Sequence, residues 1–225
     1  MNSLDFTIRT IEDVAAAVQR LGFLPFFDNR IPGFSIEEHA APEAWFGSDD
    51  GIWEWKGPLI RGFGLAYGKF FEKKAVFMTP DFYLDFANYR RDGYDFDARF
   101  DDELASFKDK ALFDLIDQNA PILSKDLKRL GDYRKGANTG FDTLIVRLQE
   151  QGYVLIHDFV YETDRRGRTY GWGVASYSTP EQHFGASFTD HVYDRTPEES
   201  YERLLAHLRT LFPEEKEQTL RKFLR

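Results

Sequence analysis

Residues 141–177 read FDTLIVRLQEQGYVLIHDFVYETDRRGRTYGWGVASY, and this stretch decides the fold. Phe141, Leu144, Ile145 and Leu148 recur at i, i+3, i+4 and i+7, the stripe of an amphipathic helix, and Gly152 closes it. Tyr153 to Tyr161 then reads as a β-strand, Asp164-Arg-Arg-Gly167 as a turn, and Arg168 to Tyr177 as the returning strand. Upstream, Gly131 to Gly140 is a connector, and Ser124 caps a short helix carrying Leu127 and Leu130. Before that, Leu104, Phe107, Ala111, Leu112, Leu115 and Ile116 line one face of a longer helix that ends ahead of Asn119-Ala-Pro121.

Helix, short helix, helix and hairpin is the order of a winged helix-turn-helix. In that arrangement the second helix sets the third for groove insertion and the hairpin is the wing. On either side lie further helix starts. Thr10-Ile-Glu-Asp13 caps a helix bearing Val14, Ala17, Val18 and Leu21, and Ser35-Ile-Glu-Glu38 opens a short one. Thr79-Pro80 and Thr196-Pro197 each put a capping residue before proline at the first helical position, and Phe212-Pro213 begins a short C-terminal helix. Gly51-Ile-Trp-Glu-Trp-Lys-Gly57 alternates with period two and predicts a strand. Phe70-Phe71 and Ala75 to Met78 predict two more, flanking Lys69, Lys73 and Lys74. The acidic, aromatic stretch from Arg90 to Glu103 marks a boundary. The expectation is an α+β protein in three parts: a mixed, aromatic-rich region over 1–100, a winged helix over 101–179, and C-terminal helices over 180–225 that pack back.

Composition narrows the functions. The 225 residues carry a net charge of −9, which argues against coating nucleic acid or anionic lipid by bulk charge and leaves room only for a local basic stripe. With no cysteine there are no disulfides, thiol nucleophiles, iron–sulfur ligands or cysteine zinc sites. Aromatic residues make up 16% of the chain, 22 of them Phe, and predict a phenylalanine-rich core. Met1 to Arg9 lacks a signal pattern, and Val14 to Phe27 is too short and too polar to span a bilayer, so a cytoplasmic protein without a membrane partner is expected. His39, His157, His183, His191 and His207 fall at no zinc-hydrolase spacing, and neither a phosphate loop nor a nucleophile elbow occurs; no metal and no cofactor is expected.

Two groups of residues carry candidate chemistry. The third helix turns Asp142, Thr143, Val146, Arg147 and Glu150 outward, a poor face for reading bases, with Arg147 its one basic side chain. The better electrostatic case is the connector region, Lys125, Lys128, Arg129, Arg134 and Lys135, with the hairpin tip, Arg165, Arg166 and Arg168. Such a tip lies along a phosphate backbone or enters a minor groove. The second group is Trp53-Glu54-Trp55-Lys56. On a strand, Glu54 and Lys56 share a face and the two tryptophans supply a stacking wall. Tyr67, Lys69, Arg90, Arg91 and Tyr94 would line the same cleft. A carboxylate there, Glu54, is the candidate catalytic group, since a carboxylate stabilises an oxocarbenium-like sugar and positions water.

The stretch from Leu104 to Tyr177, with Leu123-Ser-Lys-Asp-Leu127 and the arginine-bearing hairpin, resembles the AlkZ-like family of winged-helix proteins. Trp53-Glu-Trp-Lys56, Ala66-Tyr-Gly-Lys69 and Arg90-Arg-Asp-Gly-Tyr-Asp95 are similar to a shorter, AlkZ-related group. The longer relatives are DNA glycosylases that remove alkylated bases. The resemblance therefore implies a DNA-repair-related protein that binds double-stranded DNA, with base excision as the reaction to test. Those enzymes use a Gln–apolar–Gln motif. Here the corresponding pattern is Gln149-Glu150-Gln151, with an acid in the middle, and no catalytic role is carried onto it. Two other readings stay open: a non-catalytic module whose winged helix contacts a protein partner, and a small-molecule sensor with the aromatic N-terminal half as its pocket.

Overall fold

The computed structural model describes residues 4–46, 51–166 and 169–225. The first part of the chain runs α1 (Ile11–Leu21), β1 (Phe23–Pro25), α2 (Ile36–His39), α3 (Pro42–Phe46), α4 (Lys56–Phe63), β2 (Ala66–Phe71), β3 (Lys74–Met78), α5 (Pro80–Arg91) and α6 (Phe96–Asp101). Then come α7 (Phe107–Asn119), β4 (Ile122–Leu123), α8 (Ser124–Leu130), α9 (Phe141–Glu150), β5 (Leu155–Thr163) and β6 (Thr169–Ser178). The last elements are α10 (Pro180–Phe184), α11 (Ala186–Thr189), α12 (Pro197–Leu211) and α13 (Glu217–Phe223).

The strands form two small antiparallel sheets, ordered β1-β3-β2 and β4-β6-β5, so the chain is α+β. In the first, Phe23 and Ala66 both pair with Met78. In the second, Ile122 and Ile156 both pair with Tyr177. The outer strands β2 and β5 run beside each other, and α9 lies against β2. No helix among the described residues is long and apolar enough to cross a membrane.

Local chemistry explains the element ends. Capping boxes start α1 at Thr10, α7 at Ser106 and α12 at Thr196. Gly22 closes α1 at φ +78, and a Cβ there would sit 2.4 Å from the Phe82 ring, so only glycine allows this close turn onto α5. The aromatic excess is core. Phe23, Phe34, Phe71, Phe86 and Phe223 are buried, and Phe71 meets Phe223 at 4.9 Å between ring centroids and Phe86 at 5.3 Å. Two distant parts of the sequence, β2 and α13, are joined by that stack.

Four expectations are corrected. Residues 51–57 form no strand: the Gly51 carbonyl accepts from the amides of Glu54 and Trp55, making a turn that leads into α4. Ile52, Trp55, Leu59 and Ile60 are buried at i, i+3, i+7 and i+8, a helical spacing that prevails over the shorter alternation. Leu104 and Phe107 are not on the packed face of α7; they are 51% and 83% exposed, because the helix begins only after its Ser106 cap. Leu130 is likewise exposed at the end of α8, whose cap is Leu123 rather than Ser124. The C-terminal helix starts at Glu217, beyond a turn after Phe212.

Candidate functional site

Lys125, Lys128, Arg129 and Arg134 form a basic edge along α8 and the connector after it. Lys125 of α8 pairs across to Glu162 of the hairpin at 3.1 Å. One turn on, Lys128 pairs with Asp142 at the start of α9 at 3.4 Å, and its ammonium stands 4.7 Å from the Phe141 ring centre. Arg129 meets Asp126 at 3.4 Å, and Arg134 meets Asp132 at 2.7 Å. Between α8 and α9 a shallow cleft of about 290 Å³ is lined by Lys128, Tyr133, Arg134, Lys135, Asn138 and Phe141. At the hairpin tip Arg165 and Arg166 are exposed, in a turn where Asp164 accepts from the Arg166 amide at 2.8 Å. Arg168 lies outside the described residues.

Arg147 is held by α7. Its Nε donates to Asp109 of α7 at 2.9 Å, and Asp109 is buried. The end of α9 is engaged as well: Gln149 accepts from the Lys69 amide of β2 at 3.0 Å, and Glu150 accepts from the Lys73 amide at 3.2 Å. Only Asp142 and Thr143 of the expected outward face are exposed; Val146, Arg147 and Glu150 are half-buried. Sequence reasoning missed Trp172 on the returning strand, which is 79% exposed. Its signal is Gly171-Trp172-Gly173, a large ring between two glycines in a two-stranded hairpin where little else covers it.

The Trp53–Lys56 group is brought together in part. Trp55 is buried in the core, and Trp53 packs against Phe26, Phe27 and Trp45 at 5.4–6.0 Å. The two tryptophans therefore make no common wall. The Lys56 ammonium sits 5.1 Å from the Trp53 ring centre and 4.5 Å from that of Phe159 on β5. Burial holds its pKa below the ordinary lysine value, and the nearby Glu54 charge opposes that shift. Glu54 itself accepts from the Gly51 amide at 3.2 Å. Arg61 pairs with Asp158, which locks α4 to β5 beside them. Tyr67 is buried edge-on against Phe159 at 5.6 Å, and burial raises its pKa. Lys69 is exposed on β2, away from this cluster's interior.

Arg90 and Arg91 part company with it. Arg91 is 2% exposed, and its guanidinium donates to the Gly152 carbonyl, to Glu181 and to Tyr193. Arg90 turns the other way, toward α13, and donates to the main-chain oxygen of Arg225 at 2.6 Å. Tyr94 meets the Arg91 neighbourhood through its carbonyl, which accepts from the Tyr153 and Tyr193 hydroxyls.

A histidine pair that spacing along the chain does not signal joins β5 to α10: His157 and His183 approach Nδ1 to Nδ1 at 2.8 Å. One nitrogen must donate and the other accept, so both rings cannot be charged in this geometry. Burial, and then the neighbouring His157, hold His183 down at about 4. The folded chain therefore binds fewer protons than the unfolded chain between about pH 4 and 6.5. Stability from this site is complete above that window and declines as the pH falls through it. Between pH 7.5 and pH 5 the decline is expected to be about 2 kcal/mol. Urea titrations at both pH values should show it in the wild type and much less in His183→Gln; parallel declines would remove the assignment.

Among the described residues no group of three or more His, Asp or Glu side chains is arranged to hold a metal ion. These features define an α+β protein whose second sheet is backed by α7 and α8 and ends in a basic hairpin, with α9 packed on α7 and on β2 of the first sheet. The chain belongs to the AlkZ-related family, whose model matches residues 8–225. No curated protein and no solved structure matches it.

Proposed function

We propose that this protein binds double-stranded DNA in a repair-related role, through a winged helix-turn-helix formed by α7, β4, α8, α9, β5 and β6. The observation that carries the reading is the β4-β6-β5 sheet packed by α7 and α8, with α9 held on α7 and with β5 and β6 as wing. The AlkZ-related membership supports the nucleic-acid class. The basic edge supports the contact: the ion pairs of Lys125, Lys128, Arg129 and Arg134 are solvent-exposed, and Lys128 also lies over the Phe141 ring. Such pairs are worth about 0–1 kcal/mol each, so exchanging a carboxylate for a phosphate costs little. The engagement of Arg147, Gln149 and Glu150 by α7 and by the β2–β3 hairpin argues for backbone and wing contacts over base reading by α9.

Fluorescence-anisotropy titrations with duplex DNA, intact and carrying an abasic-site analogue, test this at low and near-physiological salt. Each lost phosphate contact lowers the log–log salt slope by about 0.9. Arg165→Glu with Arg166→Glu should lower it by about 2 and weaken binding by about 10–100-fold. Unchanged affinity would end the hairpin's role. Trp172 is the most exposed tryptophan, so quenching that disappears in Trp172→Ala would support ring contact with the nucleic acid.

Base excision through Glu54 is the catalytic extension of this reading. An extruded base needs a ring face to stack on. The Trp53 ring is already packed by Phe26, Phe27, Trp45 and Lys56, which favours binding over bond breaking at that spot. Release of alkylated base from duplex DNA, lost in Glu54→Gln, would support the extension. No release by the wild type would leave a binding protein.

A further inference from the structure

On another face, α5, α6, α12 and α13 enclose a cleft of about 600 Å³, within the range of small-ligand sites. Its walls carry Arg90, Arg99, Arg221 and Arg225 with Tyr89 and Tyr201. Only two carboxylate side chains, Asp92 and Glu198, line it as well, in a chain whose net charge is −9. That concentration of guanidinium groups runs against the overall charge.

Among the described residues, three of the four arginines form no ion pair with an Asp or Glu side chain. Arg221 pairs with Glu217 and Glu202, whereas no Asp or Glu side chain among the described residues pairs with Arg90, Arg99 or Arg225. Arg90 donates to main-chain oxygens of Arg225 and Phe70, and Arg99 to that of Arg91. The Nε atoms of Arg90 and Arg99 are both buried without a hydrogen-bond partner. A buried, unpaired donor on a charged group is costly to leave in place, and both of these belong to side chains that line the cleft. The aromatic half of the cleft is equally specific. Tyr89 and Tyr201 stand 5.0 Å apart between ring centroids. Arg90 lies over the first ring at 5.4 Å and Arg221 over the second at 5.9 Å. Planar guanidinium forks bind phosphate oxygens two at a time, and tyrosine faces accept flat rings.

We propose that this cleft binds a phosphomonoester carried on a flat ring, the chemistry of a nucleoside 5′-monophosphate. The phosphate takes the arginines and the ring takes the two tyrosines. The site is separate from the hairpin edge and does not depend on DNA binding there.

Calorimetric titration of the full chain with dAMP, deoxyadenosine and inorganic phosphate tests it. The expected result is dAMP binding at least 10-fold tighter than either fragment. Arg225→Glu, at an exposed position, should weaken dAMP at least 10-fold. Lys222→Glu, the same charge change on the exposed side of α13, should leave it within 2-fold. In the wild type, the Arg90 and Arg99 Nε–H resonances should shift on dAMP addition and not on deoxyadenosine addition, a readout that needs no variant. Absence of dAMP binding would overturn the proposal. So would equal binding of dAMP and inorganic phosphate, or equal losses in the two variants.

Discussion

Arg91→Met should lower the stability of the folded chain by about 3–5 kcal/mol, the range for removing one member of a buried, hydrogen-bonded charge network. Arg91 is the last residue of α5, and its guanidinium is sandwiched between Tyr153 at 4.7 Å and Phe188 at 5.1 Å from the ring centres. Its Nε and Nη2 donate to the Gly152 carbonyl at 3.2 and 2.9 Å, and its Nη1 to Glu181 at 2.6 Å. Three separate segments meet at one side chain: the end of α5, the turn after α9, and α10. Methionine fills much of the volume but donates nothing. Glu181 is 36% exposed and can rehydrate, whereas the Gly152 carbonyl loses both donors inside the protein. Arg91→Lys keeps the charge without the fork and should fall between the two. Urea unfolding measures the series; a loss below about 1 kcal/mol for Arg91→Met would show the network to be replaceable.

Gly152→Ala should act on the same junction from the other side. Gly152 has φ +75, and an added Cβ would stand 2.9 Å from the Ala87 Cα and 3.2 Å from its Cβ. The left-handed backbone costs an alanine about 1–2 kcal/mol. The clash is with helix backbone that cannot swing aside, and overpacking of this kind adds about 1–3 kcal/mol. Gly136→Ala is the matched comparison: φ there is +85, and nothing lies within 4 Å of the added carbon. The two variants share the backbone penalty, so their difference isolates the close approach of the turn to α5. Equal unfolding midpoints would mean that the approach is not what requires glycine.

Much of the second half was legible before any coordinates. The Phe141–Leu148 stripe, the hairpin and the short helix at Ser124–Leu130 rest on local periodicity and turn chemistry, and they hold. The capping residues Thr10 and Thr196 are legible for the same reason, since each satisfies orphan amides within four residues. Residues 51–57 misled because seven residues fit two periods at once, and burial of Ile52, Trp55 and Leu59 decided between them only in three dimensions. The candidate site suffered from the same blindness to distance. Arg90 and Arg91 are adjacent in sequence, yet one faces the α13 cleft and the other the interior. Nothing local links Arg90 to Arg221 and Arg225, and Asp109's capture of Arg147 spans two helices. Those contacts are tertiary, and spacing along the chain carries no trace of them.

The side-by-side course of β2 and β5 bears on how this protein keeps to itself. Each is the outermost strand of its sheet, where unpaired amides and carbonyls invite another chain to add a strand. Here the two outer strands face each other across Tyr67 and Phe159, and Gln149 occupies the Lys69 amide. For a chain so rich in phenylalanine, that mutual shielding closes off strand-by-strand growth into aggregates on this side. It also sets a limit on how far α9 can shift toward any partner before the β2 edge is laid bare.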